Sequence, residues 1–240
     1  MKLLLDGDLF CYRCAASAEN STSQQAILNL ERLLDDVILA LSADTFQFYL
    51  SGNTNFRYQV YPEYKANRLE AKKPTHLPVL REYLLNYGAI LSENCEADDL
   101  MGIAQCEADY GSTTIVSLDK DMLMIPGWHY SWYIEGGTPE ARWSRPAKLQ
   151  EVSYIQGLHH FYTQLIVGDI SDNIKGIPNV GKVGAKKLLD GLTTEEEMFN
   201  AVRDAYSCDE AMLMNGKCLW IMREKEKQWE FPFESNHSGE

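Results

Sequence analysis

Apolar residues follow two rhythms along this chain. KLLLD, at residues 2–6, is an unbroken apolar run stopped by an acid, the mark of a short buried strand. Ile27, Leu30, Leu34, Val37, Ile38 and Leu41 then recur at helical spacing, and TFQFYLS (45–51) alternates like a strand. Helical spacing returns over 77–87, followed by a strand at AILSEN, a helix over 96–110, a strand at TTIVSLD and the aromatic stretch WHYSWYIEG. Strands separated by helices predict an α/β fold with a mainly parallel, twisted sheet covered on both faces. Beyond residue 154 the pattern is helical throughout. The expected organisation is a core over 1–153, a helical region over 154–228 and a frayed tail over 229–240, without repeats or long linkers.

Composition narrows the class. At 240 residues and 45% hydrophobic content the chain can bury a sizeable core. No apolar run approaches the ~18 residues of a membrane span, and Asp6 interrupts the N-terminal run too early for a signal peptide. The expectation is a cytoplasmic protein, in the host cytoplasm if phage-encoded, with no membrane contact. Six scattered cysteines predict reduced thiols. Cys11 and Cys14 have metal or redox spacing but no second Cys/His pair, so they are read as packing residues. The formal net charge of -13 opposes long-range attraction to a polyanion. Two islands run the other way: residues 57–81 and 175–187 each carry net +4. Screening over about 8 Å lets such islands act locally.

The acids have a pattern of their own. Asp6, Glu96, Asp98, Asp119 and Asp121 all fall at the carboxyl ends of expected strands, where an open parallel sheet forms its ligand crevice. Asp119 and Asp121, two apart on extended chain, can point the same way, and Asp169 and Asp172 are expected on one helix face. So many carboxylates in one cleft would repel, and hard divalent cations such as Mg²⁺ or Mn²⁺ relieve that repulsion. Beside them, VYPEYKANR is expected to start a helix after Pro62, with Lys65 and Arg68 on one face, Tyr64 adjacent and Arg57 just upstream. GIPNVGKVGAKKLL reads as helix–hairpin–helix: a turn with Pro178, Gly181 and Gly184, then a helix opening at Ala185-Lys186-Lys187, with Lys182 in the turn. Arg57, Tyr64, Gly181, Lys182, Gly184, Lys186 and Lys187 are the candidate nucleic-acid contacts.

MKLLLDGD, YPEYKANR, CEADD, SLDKD and GDISDNIKGIPNVGKVGAKKLL, in this order, resemble the motifs of the 5′ nuclease superfamily, which includes flap endonucleases and phage 5′-3′ exonucleases. The likeness covers roughly residues 1 to 190. It implies a PIN-like sheet, a helix–three-turn–helix duplex-binding element, and sequence-independent hydrolysis of DNA phosphodiesters with two divalent ions, in phage or bacterial replication. By the same resemblance Asp6, Glu96 and Asp98 would hold the first ion, Asp119 would lie between the two, and Asp121, Asp169 and Asp172 would serve the second. Lys65 and Arg68 match the basic pair at the scissile phosphate, and the hairpin turn matches one that holds K⁺ against DNA in relatives. The implied partner is duplex DNA with a 5′ end, flap or nick, bound by a monomer; an RNA–DNA hybrid stays open. One departure stands out: YLSGNTNFR has Gly52 or Asn53 where the family carries an aspartate. The segment from Leu69 to AILSEN is short for a long helical arch, which favours an exonuclease-like variant. No histidine lies in a carboxylate motif, so none is assigned a catalytic role. Two rivals remain, a non-catalytic DNA-binding module of the same fold and a haloacid-dehalogenase-type phosphatase with Asp6 as nucleophile. The latter leaves YKANR and the hairpin unexplained.

Overall fold

The computed structural model describes residues 1–68, 72–138 and 141–233. In chain order these form β1 (Lys2–Asp6), α1 (Gly7–Ser17), α2 (Ser23–Leu41), β2 (Thr45–Leu50), the single turn α3 (Arg57–Val60), α4 (Leu77–Asn86), β3 (Ile90–Leu91), α5 (Ala97–Glu107), β4 (Thr113–Val116) and β5 (Gly127–Ser131). There follow β6 (Ile134–Thr138), β7 (Ala141–Arg145), β8 (Lys148–Val152), α6 (Tyr154–Val167), the short strands β9 (Gly168–Asp169) and β10 (Ile174–Lys175), α7 (Lys182–Leu189), α8 (Glu195–Ala205) and α9 (Asp209–Leu219).

Six strands make the main sheet in the order β3-β2-β1-β4-β5-β8. The first five are parallel and β8 runs antiparallel to β5. From central β1 the chain builds outward to β2 and β3, then returns to the other side of β1 for β4 and β5. A crevice therefore opens at the carboxyl ends of β1 and β4, where the winding reverses. Strand alternation sorts the core: Leu3 and Leu5 pack with Phe10, Leu30 and Leu80 under α1, α2 and α4, whereas Leu4 faces Met101 of α5 and Phe161 of α6. Cys11 and Cys14 lie buried within α1, and all six cysteines are free thiols.

Local chemistry explains the helix starts. The Thr22, Ser153 and Thr194 side chains accept the Gln25, Gln156 and Glu197 N–H groups at the heads of α2, α6 and α8. At α5 a capping box joins Glu96 and Asp99. Asp99 is fully buried and takes both ends of the Arg57 guanidinium, at 2.6 and 2.9 Å.

Three expectations change. From Ile134 onward the chain forms an antiparallel pair, β6–β7, followed by β8, which runs antiparallel to β5 and so needs no crossover helix. The helical region is interrupted by the β9–β10 ribbon, so Asp169 and Asp172 sit on a turn rather than on a helix face. The tail is not frayed over 229–233: Trp229 is buried with its ring 5.4 Å from Phe161, and Phe231 and Phe233 pack on Phe199. Residues 234–240 lie outside the described residues. α6, α7 and α8 share one continuous core with the sheet, in which Leu4 and Ile115 meet Phe161, Leu189 and Phe199.

Candidate functional site

The crevice at the ends of β1 and β4 is a cavity of about 410 Å³, and all seven predicted carboxylates line it: Asp6, Glu96, Asp98, Asp119, Asp121, Asp169 and Asp172. Four local devices deliver them. Asp6 caps α1, accepting the Leu9 N–H at 3.0 Å and the Ser117 hydroxyl at 2.7 Å. Glu96 is the N-cap of α5, and Asp98 lies in its first turn. Asp119 caps a 3₁₀ turn over Lys120–Met124 and accepts the Asp121 N–H at 2.8 Å, so the pair lies on a turn and not on extended chain. Asp169 accepts the Ser171 N–H at 2.7 Å within the β9–β10 turn.

Crowding of like charge shows in the proton affinities. Burial pushes the Asp6 carboxyl up to about 7, against the hydrogen bonds from Leu9 and Ser117 and with the repulsion of Asp8 and Asp119. Asp98 is driven well up by burial and then by Asp6, Asp119 and Glu96. Asp119 opens to solvent but is enclosed by the cleft walls; that enclosure and the charge of Asp121 raise it. Asp121 goes the other way: burial would raise it, but His160, Lys120 and Gln164 hold it below the usual carboxylate range.

The cations come from a turn bonded onto the acids. Residues 62–68 form turns and a 3₁₀ segment (Ala66–Arg68) instead of the expected helix, with Lys65 in the left-handed region at φ 55°. Tertiary hydrogen bonds override helical propensity here. The Lys65 N–H donates to the Asp172 carbonyl at 3.0 Å, Asn67 Nδ2 to the Ile170 carbonyl at 2.6 Å, Arg68 Nε to the Ser171 carbonyl at 2.8 Å, and Asn173 Nδ2 returns to the Glu63 carbonyl at 2.9 Å. Lys65 Nζ thus pairs with Glu96 and lies 3.8 Å from Asp172, which also pairs with Arg68. Among the described residues no three carboxylate, imidazole or thiolate groups are gathered as a finished ion cage. The donor set nonetheless fits hard divalent ions: every candidate ligand is a carboxylate oxygen, and two of them, Asp6 and Asp98, carry repulsion that a cation would relieve.

Several sequence-based assignments need correction. Arg57 is 2% exposed, and besides Asp99 it donates to the Cys218 and Trp220 carbonyls at 2.8 and 2.7 Å, so its guanidinium has nothing to offer DNA. Tyr64 is equally buried; its hydroxyl, 2.9 Å from Asp172 and 3.2 Å from Glu96, braces the acids from within. Neither Gly52 nor Asn53 lines the cleft, and a Cβ on Gly52 would lie 2.1 Å from the Ser92 carbonyl oxygen. Ser51 lines the cleft at this strand end instead, its hydroxyl accepting the Ala97 N–H at 3.0 Å. In the hairpin, α7 starts at Lys182, three residues before the expected Ala185, with Gly181 as its N-cap. Nothing stands within 4 Å of a Cβ on Gly181, whereas one on Gly184 would meet Val180 at 2.8 Å, so Gly181 presents open backbone and Gly184 serves packing. Lys182, Lys186 and Lys187 are exposed on α7, outside the cleft.

Some site residues escaped the sequence reading. Ser117 and Lys120 were available in the SLDKD motif; Lys120 Nζ stands 3.0 Å from Asp121. His160 and Gln164, four apart on α6, act on Asp121, and His160 Nε2 is 3.9 Å from its carboxylate. Only their i, i+4 spacing could have suggested a shared face.

A mainly parallel sheet flanked by helices, with an acid-lined crevice at its winding switch braced by a basic turn, defines an α/β protein with a candidate ion-binding cleft. The chain belongs to the family described as 5′-3′ exonuclease, N-terminal resolvase-like domain, which it matches over residues 1–150. It is 28% identical over 222 residues to DNA polymerase I of Bacillus caldotenax, an alignment spanning 83% of this chain and 24% of that protein. It is 25% identical over 225 residues to the 5′-3′ exonuclease of Buchnera aphidicola (subsp. Schizaphis graminum), spanning 85% and 75%. The chain therefore spans about a quarter of the length of the polymerase relatives. Among solved structures, the bacteriophage T5 5′-exonuclease with bound divalent metal ions (zinc) superposes with a TM-score of 0.60 at 16% identity, covering 90% of this chain and 88% of that one. Human GEN1 in complex with Holliday junction DNA gives 0.52 at 15% identity, covering 95% and 62%. These likenesses establish the fold.

Proposed function

We propose that this protein is a divalent-metal-dependent 5′-3′ exonuclease or flap endonuclease of DNA. The observation that carries the reading is the convergence of seven carboxylates from four separate chain segments on one cleft, with Lys65 and Arg68 bonded to two of them. A pair of Mg²⁺ or Mn²⁺ ions would supply the Lewis acidity that in-line phosphodiester hydrolysis requires. Asp6, Glu96 and Asp98 would hold one ion, Asp121, Asp169 and Asp172 the other, and Asp119 would face both. Lys65 and Arg68 pair with Glu96 and Asp172 in the cleft. With those acids engaged elsewhere, the same two cations are free to turn to the scissile phosphate and stabilise its developing charge. The left-handed Lys65 backbone and the bonds from 63–68 to 170–173 hold them ready at that place.

The open backbone at Gly181 and the exposed lysines of α7 support a second role for the hairpin, gripping the flanking duplex by its phosphates without reading bases, with K⁺ at the turn. The family relationship to DNA polymerase I supports DNA as the partner and the cell interior as the place of action. Among the described residues no helix is long and apolar enough to cross a membrane. Digestion of 5′-labelled duplex, nicked and flap DNA tests the proposal. Cleavage from the 5′ end is expected in Mg²⁺ or Mn²⁺, stopped by chelator and abolished by Asp119→Asn while that variant still binds duplex in Ca²⁺. Chelator-resistant cleavage, or digestion from 3′ ends alone, would overturn it.

A further inference from the structure

Next to the acidic cleft lies a second cavity of about 300 Å³, and Asp119 and Lys120 line both. It is lined by residues of the segment from Ser117 to Leu123, by the β7–β8 loop from Arg145 to Lys148, and by His129–Ser131 of β5. Its chemistry is opposite to that of the cleft. Leu118, Met122, Leu123, Tyr130 and Pro146 make the lining apolar; Lys120, Arg145 and Lys148 stand on the rim with Asp119 as the single acid. Arg145 and Lys148 are exposed, and neither forms an ion pair within the described residues.

We propose that this cavity is a nucleotide subsite, holding one nucleotide of the cleaved strand just beyond the scissile phosphate. The inference rests on the cleft being a phosphodiester-hydrolysing site and extends it. A volume near 300 Å³ is at the small end of ligand pockets and suits a single nucleotide. The apolar part of the lining accepts a base, whose faces are sequence-blind, and the cations beside it accept the phosphate on either side. In a chain of net charge -13, three cations around one pocket select against a cationic ligand. A free acidic peptide would satisfy the cations, but continuity with the cleft through Asp119 and Lys120 selects a strand that is already bound there. The subsite lies toward the β5–β8 edge of the sheet, away from the Lys65–Arg68 turn, so strand and scissile phosphate would be held from opposite sides.

The test compares Arg145→Ala/Lys148→Ala, substitutions that touch no cleft carboxylate, with the unsubstituted pocket, both in the same Asp119→Asn background with Ca²⁺. Fluorescence anisotropy would compare a flush duplex with the same duplex carrying a three-nucleotide 5′ extension. Affinity for the extended substrate is expected to fall about tenfold, with its salt slope reduced by roughly 1.4, two single-strand contacts at about 0.7 each. Flush duplex should change less than twofold. Lys148→Glu, a single exposed change with the same change in net charge, should weaken the extended substrate comparably. Unchanged binding of the extended strand, or equal loss on both substrates, overturns the subsite. Wild-type cleavage in Mg²⁺, run in parallel, separates the outcomes: its absence on every 5′ end would overturn the functional reading itself.

Discussion

Gly52 shows at the residue scale how packing outranks motif. Its N–H donates to the Ser92 hydroxyl at 3.0 Å, and a Cβ would strike the Ser92 backbone at 2.1 Å. Gly52→Ala is expected to cost about 1–3 kcal/mol in urea unfolding, as overpacking does. Gly52→Asp should be no better, and a Mg²⁺ titration of its cleavage should show no gain in metal affinity. His129 makes a different residue-level prediction. It is buried, with Nε2 donating to the Ile125 carbonyl at 2.7 Å, and burial holds its pKa down to about 4, aided by His160 and opposed by that hydrogen bond. A histidine neutral in the fold but protonated in the unfolded chain stabilises above the unfolded pKa of about 6.5 and loses that contribution as pH falls toward 4. The loss is on the order of 3 kcal/mol. Unfolding free energies at pH 7.5 and pH 5 should differ less in His129→Gln than in the wild type.

At the scale of elements, the hairpin and the YKANR turn repay comparison. The hairpin was legible because Pro178, Gly181 and the lysines are local signals; its helix begins earlier than expected since Gly181, not Gly184, takes the cap. Replacing Lys182, Lys186 and Lys187 by Ala should weaken duplex binding at every sequence and lower the salt slope by up to about one per lost phosphate contact. An unchanged slope would mean these lysines only solvate α7. The YKANR segment was misread as helix because its conformation is imposed from outside. Asn67, Arg68 and Lys65 bond to residues more than 100 positions away.

For the whole molecule, the cleft sets stability against function. Asp6, Asp98 and Asp119 are held together by a sheet that must tolerate their repulsion. A ligand that binds only the folded cleft stabilises it by about 2.7 kcal/mol at a hundredfold excess over Kd. For a chain of this size that corresponds to a rise in Tm of roughly 5–10 °C. Thermal unfolding in Mn²⁺ against chelator should show such a rise for the wild type and a smaller one for Asp119→Asn. Equal unfolding temperatures would argue that the acids do not share an ion.

The apolar runs and their spacing were enough to indicate a mainly parallel sheet, its covering helices and the strand-end location of Asp6, Glu96, Asp98 and Asp119, because strand and helix periods are properties of local sequence. Charge type at those positions was enough to call for divalent ions. What the sequence left undecided depends on groups far apart in the chain: the reversal of β8, the turn that carries Lys65 and Arg68, and the packing of Trp229. Arg57 is the sharpest case. As a letter it is a cation in a basic island, and only burial against Asp99, 42 residues on, makes it part of the scaffold, because a charge withdrawn from water must be paired.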